Sequence, residues 1–309
     1  MSIVSSKNFT KQLDVRIHNM WLDTLTAFPT FHNKVAKIDT PEPGNEIREA
    51  ELSPLGVLRP LTEGQMVEYD IPVEGHEKAR NYSEFGLGFQ ITEVMKEDLI
   101  HKQILQMPQM LGRSAAMKTE LAFWDLFNSG FTTHLAIDGQ YIFDTSGRTY
   151  MKTGEAVDNR PDTDVALTES SLQDAFEYFE NLKDDAGLPY PMMGKKLLIV
   201  PSALRWQAQT LYNAAGKPGS MDNDPNTVKN GQYKDFGAWD YMVVPQFLSS
   251  TTAWFVLDVS ESDFRLVWKR QPKLMSFDDP HTGNTLYKTT SRFATFCNKW
   301  RGCYGTTGA

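Results

Sequence analysis

Six histidines, at positions 18, 32, 76, 101, 134 and 281, would be the first source of metal or acid–base chemistry. No two of them stand four apart, the spacing that sets two imidazoles on one helical face for zinc. Asp222-Asn-Asp224-Pro-Asn226 opens like a calcium loop, but Thr227 takes the place of the sharp-turn Gly and Tyr233 that of the bidentate Glu. Gly86-Leu-Gly88 lies in a strand pattern with no third Gly opening a helix, and neither a P-loop nor a GxSxG elbow occurs. The adjacent acids Asp184-Asp185 and Asp278-Asp279 fall in turn sequences, where charge serves solvation. Cys297 and Cys303 match neither a CxxC pair nor a zinc ribbon and suit a reducing compartment. No catalytic, cofactor-binding or metal-ligating residue is assigned, and no cofactor is expected. The carboxylates that folding could still gather are Asp235, Asp240 and Asp258, near strand ends of an α/β unit over 166–274. They define the rival reading, an enzyme.

The elements that would position such groups alternate between helix and strand patterns. Leu13, Ile17, Met20, Trp21, Leu25 and Phe28 recur at helical spacing and predict an amphipathic helix on an N-terminal arm, its aromatics covered by the chain's own body or by a neighbour. Leu52 to Leu61, with Pro54 and Pro60, and Val67, Tyr69, Ile71 and Val73 alternating with Glu68, Asp70, Pro72 and Glu74, predict a long hairpin turning at Thr62-Glu-Gly64. Phe85, Leu87, Phe89 and Ile91 predict an edge strand that feeds helical sequence from Glu93. Pro108 is expected to divide that helix, and the piece from Pro108 to Asn128 carries an apolar stripe of Met110, Met117, Leu121 and Trp124, flanked by Leu111, Ala115, Ala122 and Leu126. Leu135 to Tyr150 predicts short strands around hairpin-type turns at Asp138-Gly139 and Ser146-Gly147, and a polar surface loop over 153–164 then marks a domain boundary.

From Ser171, read as the start of a capping box, Leu172, Phe176, Phe179 and Leu182 give a buried helical face. Lys196 to Val200 is a buried strand, Ser202 is expected to cap a helix carrying Leu204, Ala208, Leu211 and Ala215, and 217–235 is a long loop. Strands at Tyr241–Val244, Trp254–Leu257, Phe264–Trp268 and Thr285–Phe296 close the chain.

Over 309 residues, a 40% hydrophobic content and 23% charge describe an ordinary folded protein with a core of its own. The net charge of −8 disfavours a grip on polyanions. No apolar run reaches the roughly 18 residues of a membrane span, and no signal peptide stands at Met1, so the chain is expected to stay where it is made. Projecting elements with little to cover them point to self-association.

Tyr82-Ser-Glu-Phe-Gly86-Leu-Gly88-Phe-Gln-Ile-Thr92, followed by Lys96-Glu-Asp98 and a helix with Leu111-Gly-Arg-Ser-Ala-Ala116 and Glu120, resembles the strand and spine helix of tailed-bacteriophage major capsid proteins of the Hong Kong 97 fold. Asp138-Gly139 with Phe143-Asp144, Leu198-Ile-Val-Pro201, Ala253-Trp-Phe255 and Arg292 with Trp300-Arg-Gly302 and Gly305 continue the likeness in order. The resemblance implies an α+β capsid fold: arm 1–46, extended loop 47–82, peripheral domain 83–165 with 275–309, and axial domain 166–274 whose loop 216–236 stands at the centre of hexamers and pentamers. It implies a subunit of the virion shell, assembled in the host cytoplasm, that encloses double-stranded DNA without reading its sequence. Its partners would be further copies of itself, a separate scaffolding protein or a cleaved scaffold segment, a portal and a decoration protein; no membrane is involved. Subunit contacts are expected at Arg48, Arg59, Glu63, Glu68, Asp70, Glu74 and Arg80 of the loop, Trp21 and Phe28 of the arm, and Lys217, Asp222 and Lys229 of the axial loop. The Lys–Asn weld of some members is not carried over, since the loop offers only Lys78 near its base. An encapsulin-like compartment shell is the alternative within the same fold.

Overall fold

The computed structural model describes residues 6–41, 43–97, 101–190, 192–216, 225–229 and 238–309, with side chains from 14 to 95 and from 105 onward within those spans. Helix α1 (Ser6–Ala27) precedes β1 (Lys37–Asp39), β2 (Glu46–Leu52), β3 (Glu74–Asn81), β4 (Ser83–Ile91) and the short α2 (Glu93–Glu97). The spine helix α3 (His101–Asn128), α4 (Glu169–Glu180), β5 (Lys196–Val200) and α5 (Arg205–Asn213) follow. After them come β6 (Trp239–Val243), β7 (Trp254–Asp258), β8 (Phe264–Asp278), β9 (Thr285–Cys297) and β10 (Cys303–Thr306).

Two four-stranded sheets carry the fold, ordered β1-β8-β9-β4 and β10-β7-β5-β6. All five residues of β5 are buried because its sheet is covered on both faces. Leu198 and Val200 meet Leu172, Phe176 and Phe179 of α4 and Ala208 and Leu211 of α5. Leu197 and Ile199, pointing the other way by the two-residue repeat, meet Phe123, Trp124 and Phe127 of α3 with Phe143 and Phe264. Phe127 stacks on Phe264 with ring centroids 4.5 Å apart, so the end of the spine helix joins the two sheets. β8 spans the expected 274/275 boundary, pairing with β9 from Phe264 to Asp278, while β10 lies against β7.

Several local expectations are corrected. Pro108 lies inside a continuous α3, where it removes one backbone hydrogen bond and the packing downstream outweighs that loss. Met110 and Leu121 face solvent, because α3 turns Leu111, Ala116, Glu120, Phe123, Trp124 and Phe127 inward. Thr168, not Ser171, caps α4: its hydroxyl accepts from the Ser171 amide (3.2 Å), and Ser171 Oγ accepts from the Thr168 amide (2.8 Å). Ser202 opens a 3-10 turn instead of capping α5. The segment around Leu135–Tyr150 forms isolated bridges, not strands.

The loop over 153–164 is not wholly a surface loop. Asn159 is fully buried and its side chain donates to the carbonyls of Ile142 (2.8 Å) and Cys303 (3.2 Å) while accepting from Arg148 (2.7 Å). The hairpin is also corrected. Its ladder lies at the base, between β2 and β3, and no ladder runs through 53–73, where Pro54, Pro60 and Pro72 withhold donors and no second layer covers the strands.

Candidate assembly surfaces

The arm is fastened to the subunit itself. Ile17 and Trp21 of α1 are buried, and α1 crosses α3 so closely that a Cβ at Gly112 would stand 2.6 Å from the Trp21 carbonyl oxygen. Trp21 therefore faces its own core, while Phe28 is half-buried. Glu120, fully buried on α3, fixes the end of the arm. Its Oε1 accepts from the Phe31 amide (2.9 Å) and stands 2.6 Å from His32 Nδ1; its Oε2 accepts from the His32 amide (3.3 Å) and the Trp124 indole (2.8 Å).

The base of the extended loop is fastened likewise. Ile47 and Tyr82 pack with Val267, Ala294 and Phe296. Arg80 lies over the Phe296 ring (4.4 Å) and donates to the Cys297 carbonyl (2.9 Å), and Lys78 donates to the Ala136 carbonyl (2.9 Å). Of the expected contact residues, Arg80 is thus engaged internally, whereas Arg48 pairs with its neighbour Glu46 in solvent (3.1 Å).

Beyond Ser53 the loop leaves the body. Leu58 is 97% exposed, Tyr69 88%, Met66 84% and Ile71 78%, a density of bare apolar side chains that an isolated subunit gains nothing from. The charged residues there meet one another: Arg59 pairs with Glu68, and Glu63 and Glu74 are exposed. Asp70 accepts from the Gly56 amide (2.8 Å) and from Lys152 (3.3 Å), and these hydrogen bonds, the Gly56 one foremost, hold its carboxyl below the usual carboxylate range. Lys152 also donates to the Pro54 carbonyl (3.1 Å) and so ties the loop's two sides to the body. Lys152 was not foreseen, since nothing local marks a lysine in a turn as the partner of a residue 82 positions away.

At the axial end, Lys217 and Asp222 lie outside the described residues, as do Asp235 and most of the expected loop 216–236. Lys229 is half-buried beside Asn226, whose side chain donates to the Leu211 and Ala214 carbonyls (2.9 and 3.0 Å). Trp206, unanticipated, projects from α5 with 71% of its surface exposed.

Of the suspected carboxylates, the two that are described serve separate ion pairs. Asp240 pairs in solvent with Lys195 (3.1 Å). Asp258 is buried and saturated by Lys196 (2.7 Å), the Ser260 amide (2.9 Å) and hydroxyl (2.5 Å) and the Glu261 amide (3.2 Å). Burial pushes its pKa up, but Lys196 and Ser260 outweigh burial and hold it below the ordinary value. Its four donors, three of them on Oδ1, are the subunit's own groups. Among the described residues no three His, Cys, Asp or Glu side chains could hold a metal ion, and no helix is long and apolar enough to cross a membrane.

The bare projection leaves apolar surface for a partner to cover, and comparison with known proteins says what kind of protein carries it. The model of a phage capsid protein family matches residues 83–305, well over half of the chain. The chain belongs to the phage capsid protein family. No curated protein sequence matches it significantly.

The mature capsid protein of bacteriophage PhiM1 is similar over 90% of this chain and 86% of its own, with a TM-score of 0.57 at 10% identity. The capsid protein of cyanophage P-SCSP1u is similar over 92% and 90%, with a TM-score of 0.52 at 12% identity. The virus-like particle from Pyrococcus furiosus is similar over 94% and 98%, with a TM-score of 0.52 at 8% identity. At such identities the likeness establishes the fold, the α+β Hong Kong 97-type capsid fold, while the phage family is carried by the sequence model. An encapsulin-like shell is not better supported.

Proposed function

We propose that this phage capsid protein is the major capsid subunit, which builds the head shell by self-association. The observation that carries the reading is the capsid family match over 83–305 joined to an extended loop that its own subunit leaves bare. In this reading arm 1–46, loop 47–82, peripheral domain 83–165 with 275–309 and axial domain 166–274 divide the work. The axial end packs around the centre of hexamers and pentamers, a head-to-tail contact that closes by rotation. A scaffolding protein directs assembly in the host cytoplasm, a portal and a decoration protein complete the head, and double-stranded DNA is enclosed without sequence-specific binding. The subunit needs no cofactor and catalyses nothing.

The loop supplies the test. Replacing 52–73 with a short Gly-Ser turn removes only exposed side chains apart from buried Ser53 and half-buried Pro54. The truncated chain is expected to keep its circular dichroism and to stop forming shells. Normal shells from the truncated chain would refute the reading, and outright unfolding would make the loop part of the subunit's own core.

A further inference from the structure

β4 is the outer strand of its sheet, and among the described residues it pairs only with β9. Nine residues long and mostly exposed, it contains no Pro and a single charge, Glu84. An edge of that length offers a row of free backbone donors and acceptors for another strand. Meanwhile Met66 to Val73 has the alternation of a strand, with Val67, Tyr69, Ile71 and Val73 on one side and Glu68 and Asp70 on the other, yet it forms no ladder in its own subunit. One segment is a strand without a sheet, the other a sheet edge without a strand, and their lengths agree.

Their two faces agree as well. On the side of β4 turned to α3, Phe85 and Leu87 border a groove of ≈ 260 Å³ closed by Leu111, Ala115 and Lys118. Leu87 and Met110 stand exposed nearby. On the opposite side, cross-strand register places Glu84, Gly86 and Gly88 beside Arg292, Thr290 and Lys288 of β9, and these beside Arg270, Lys273 and Met275 of β8. Among those register-paired positions four cations face one carboxylate, Glu84, which pairs with Arg270.

We propose that residues 66–73 of one subunit add as a strand to the β4 edge of a second copy, with Val67, Tyr69 and Ile71 on the groove side and Glu68 and Asp70 over Arg270, Lys273 and Lys288. The proposal rests on the reading that the extended loop covers a neighbour, and it names the surface covered. Backbone pairing supplies the attachment, and the split of apolar and acidic residues between faces sets the register, since a slip by one residue would turn the carboxylates into the groove. The contacts the loop gives up, Glu68 with Arg59 and Asp70 with Lys152, are solvent-exposed and easily exchanged.

The test is zero-length cross-linking with a carbodiimide on shells assembled from equal amounts of 14N- and 15N-labelled full-length chain, read by mass spectrometry. Mixed-isotope cross-links from Glu68 or Asp70 to Lys273 or Lys288 are the expected result. Mixed-isotope cross-links from those carboxylates only to lysines elsewhere, such as Lys152 or Lys195, overturn the β4 site while leaving the loop on a neighbour. Cross-links confined to single-isotope pairs, or none from these carboxylates, overturn both.

Discussion

Replacing Glu120 by Ala is expected to loosen the arm from the spine helix and to lower the melting temperature of the subunit without altering its fold. The carboxylate satisfies the Phe31 and His32 amides and the Trp124 indole and stands against His32 Nδ1, and both Glu120 and Trp124 are fully buried. A buried donor deprived of its acceptor costs about 1–3 kcal/mol. The Phe31 end is partly open to water, so the sum is on the order of 3–5 kcal/mol and not the full total of four donors. With an unfolding entropy of roughly 2 cal/mol/K per residue, 309 residues lose about 1.5 °C for each kcal/mol, and the expected fall is about 5–8 °C. Glu120→Gln keeps one acceptor oxygen and should lose less than half as much. Calorimetry of unassembled subunits measures the shift, and hydrogen exchange should show protection lost first at the Phe31 and His32 amides. A melting point within 1 °C of the parent, or protection lost evenly through β5 and β7, would refute the assigned role of Glu120.

Three further outcomes are expected. Asp258→Asn strands the Lys196 ammonium inside the protein and should destabilise by about 3–5 kcal/mol in urea titration, whereas the double variant with Lys196→Met should recover much of that loss; strict additivity would contradict the pairing. Asp164 is partly buried, which raises its pKa, but Arg160 (2.6 Å), the Thr307 amide (3.1 Å) and Thr306 (3.0 Å) outweigh that and hold it well below the ordinary value. Its folded-state value is depressed, so its contribution to stability is present above about pH 4 and fades as pH falls through the folded value; Asp164→Asn should flatten the acid limb of the melting curve, and an unchanged limb would exclude it. Arg80→Ala should destabilise by about 1–3 kcal/mol, since the guanidinium covers Phe296 and caps the Cys297 carbonyl, and a neutral effect in thermal melts would return Arg80 to the exposed contact residues.

What the sequence disclosed follows from how local each signal is. Leu172, Phe176, Phe179 and Leu182 announced the buried face of α4, because period and burial coincide there, and Phe85 to Ile91 announced β4 by alternation alone, since only Ile91 of that strand is buried. The same period misled at Val67 to Val73, where alternation is real but the layer that would turn it into a sheet is absent from the subunit. Pro108 was read as a break because its local cost is visible and the Phe127–Phe264 packing that holds the helix together is not. Glu120 and Asn159 act on partners 88 and 144 residues away, so their roles had no neighbouring signature. Of the expected contact residues, Glu63, Glu68, Asp70 and Glu74 do lie on an exposed projection, while Trp21 and Arg80 serve the subunit's own core. Aromatic character alone does not distinguish those two uses.

The central claim, that this chain closes into a shell, is tested most directly by electron microscopy of the purified full-length protein, alone and together with the scaffolding protein proposed for it, at high concentration. Closed particles tiled by hexamers and pentamers, with density for residues 53–73 lying across an adjacent subunit, are the expected result. A chain that stays monomeric, or forms only a small soluble oligomer, under both conditions would contradict it.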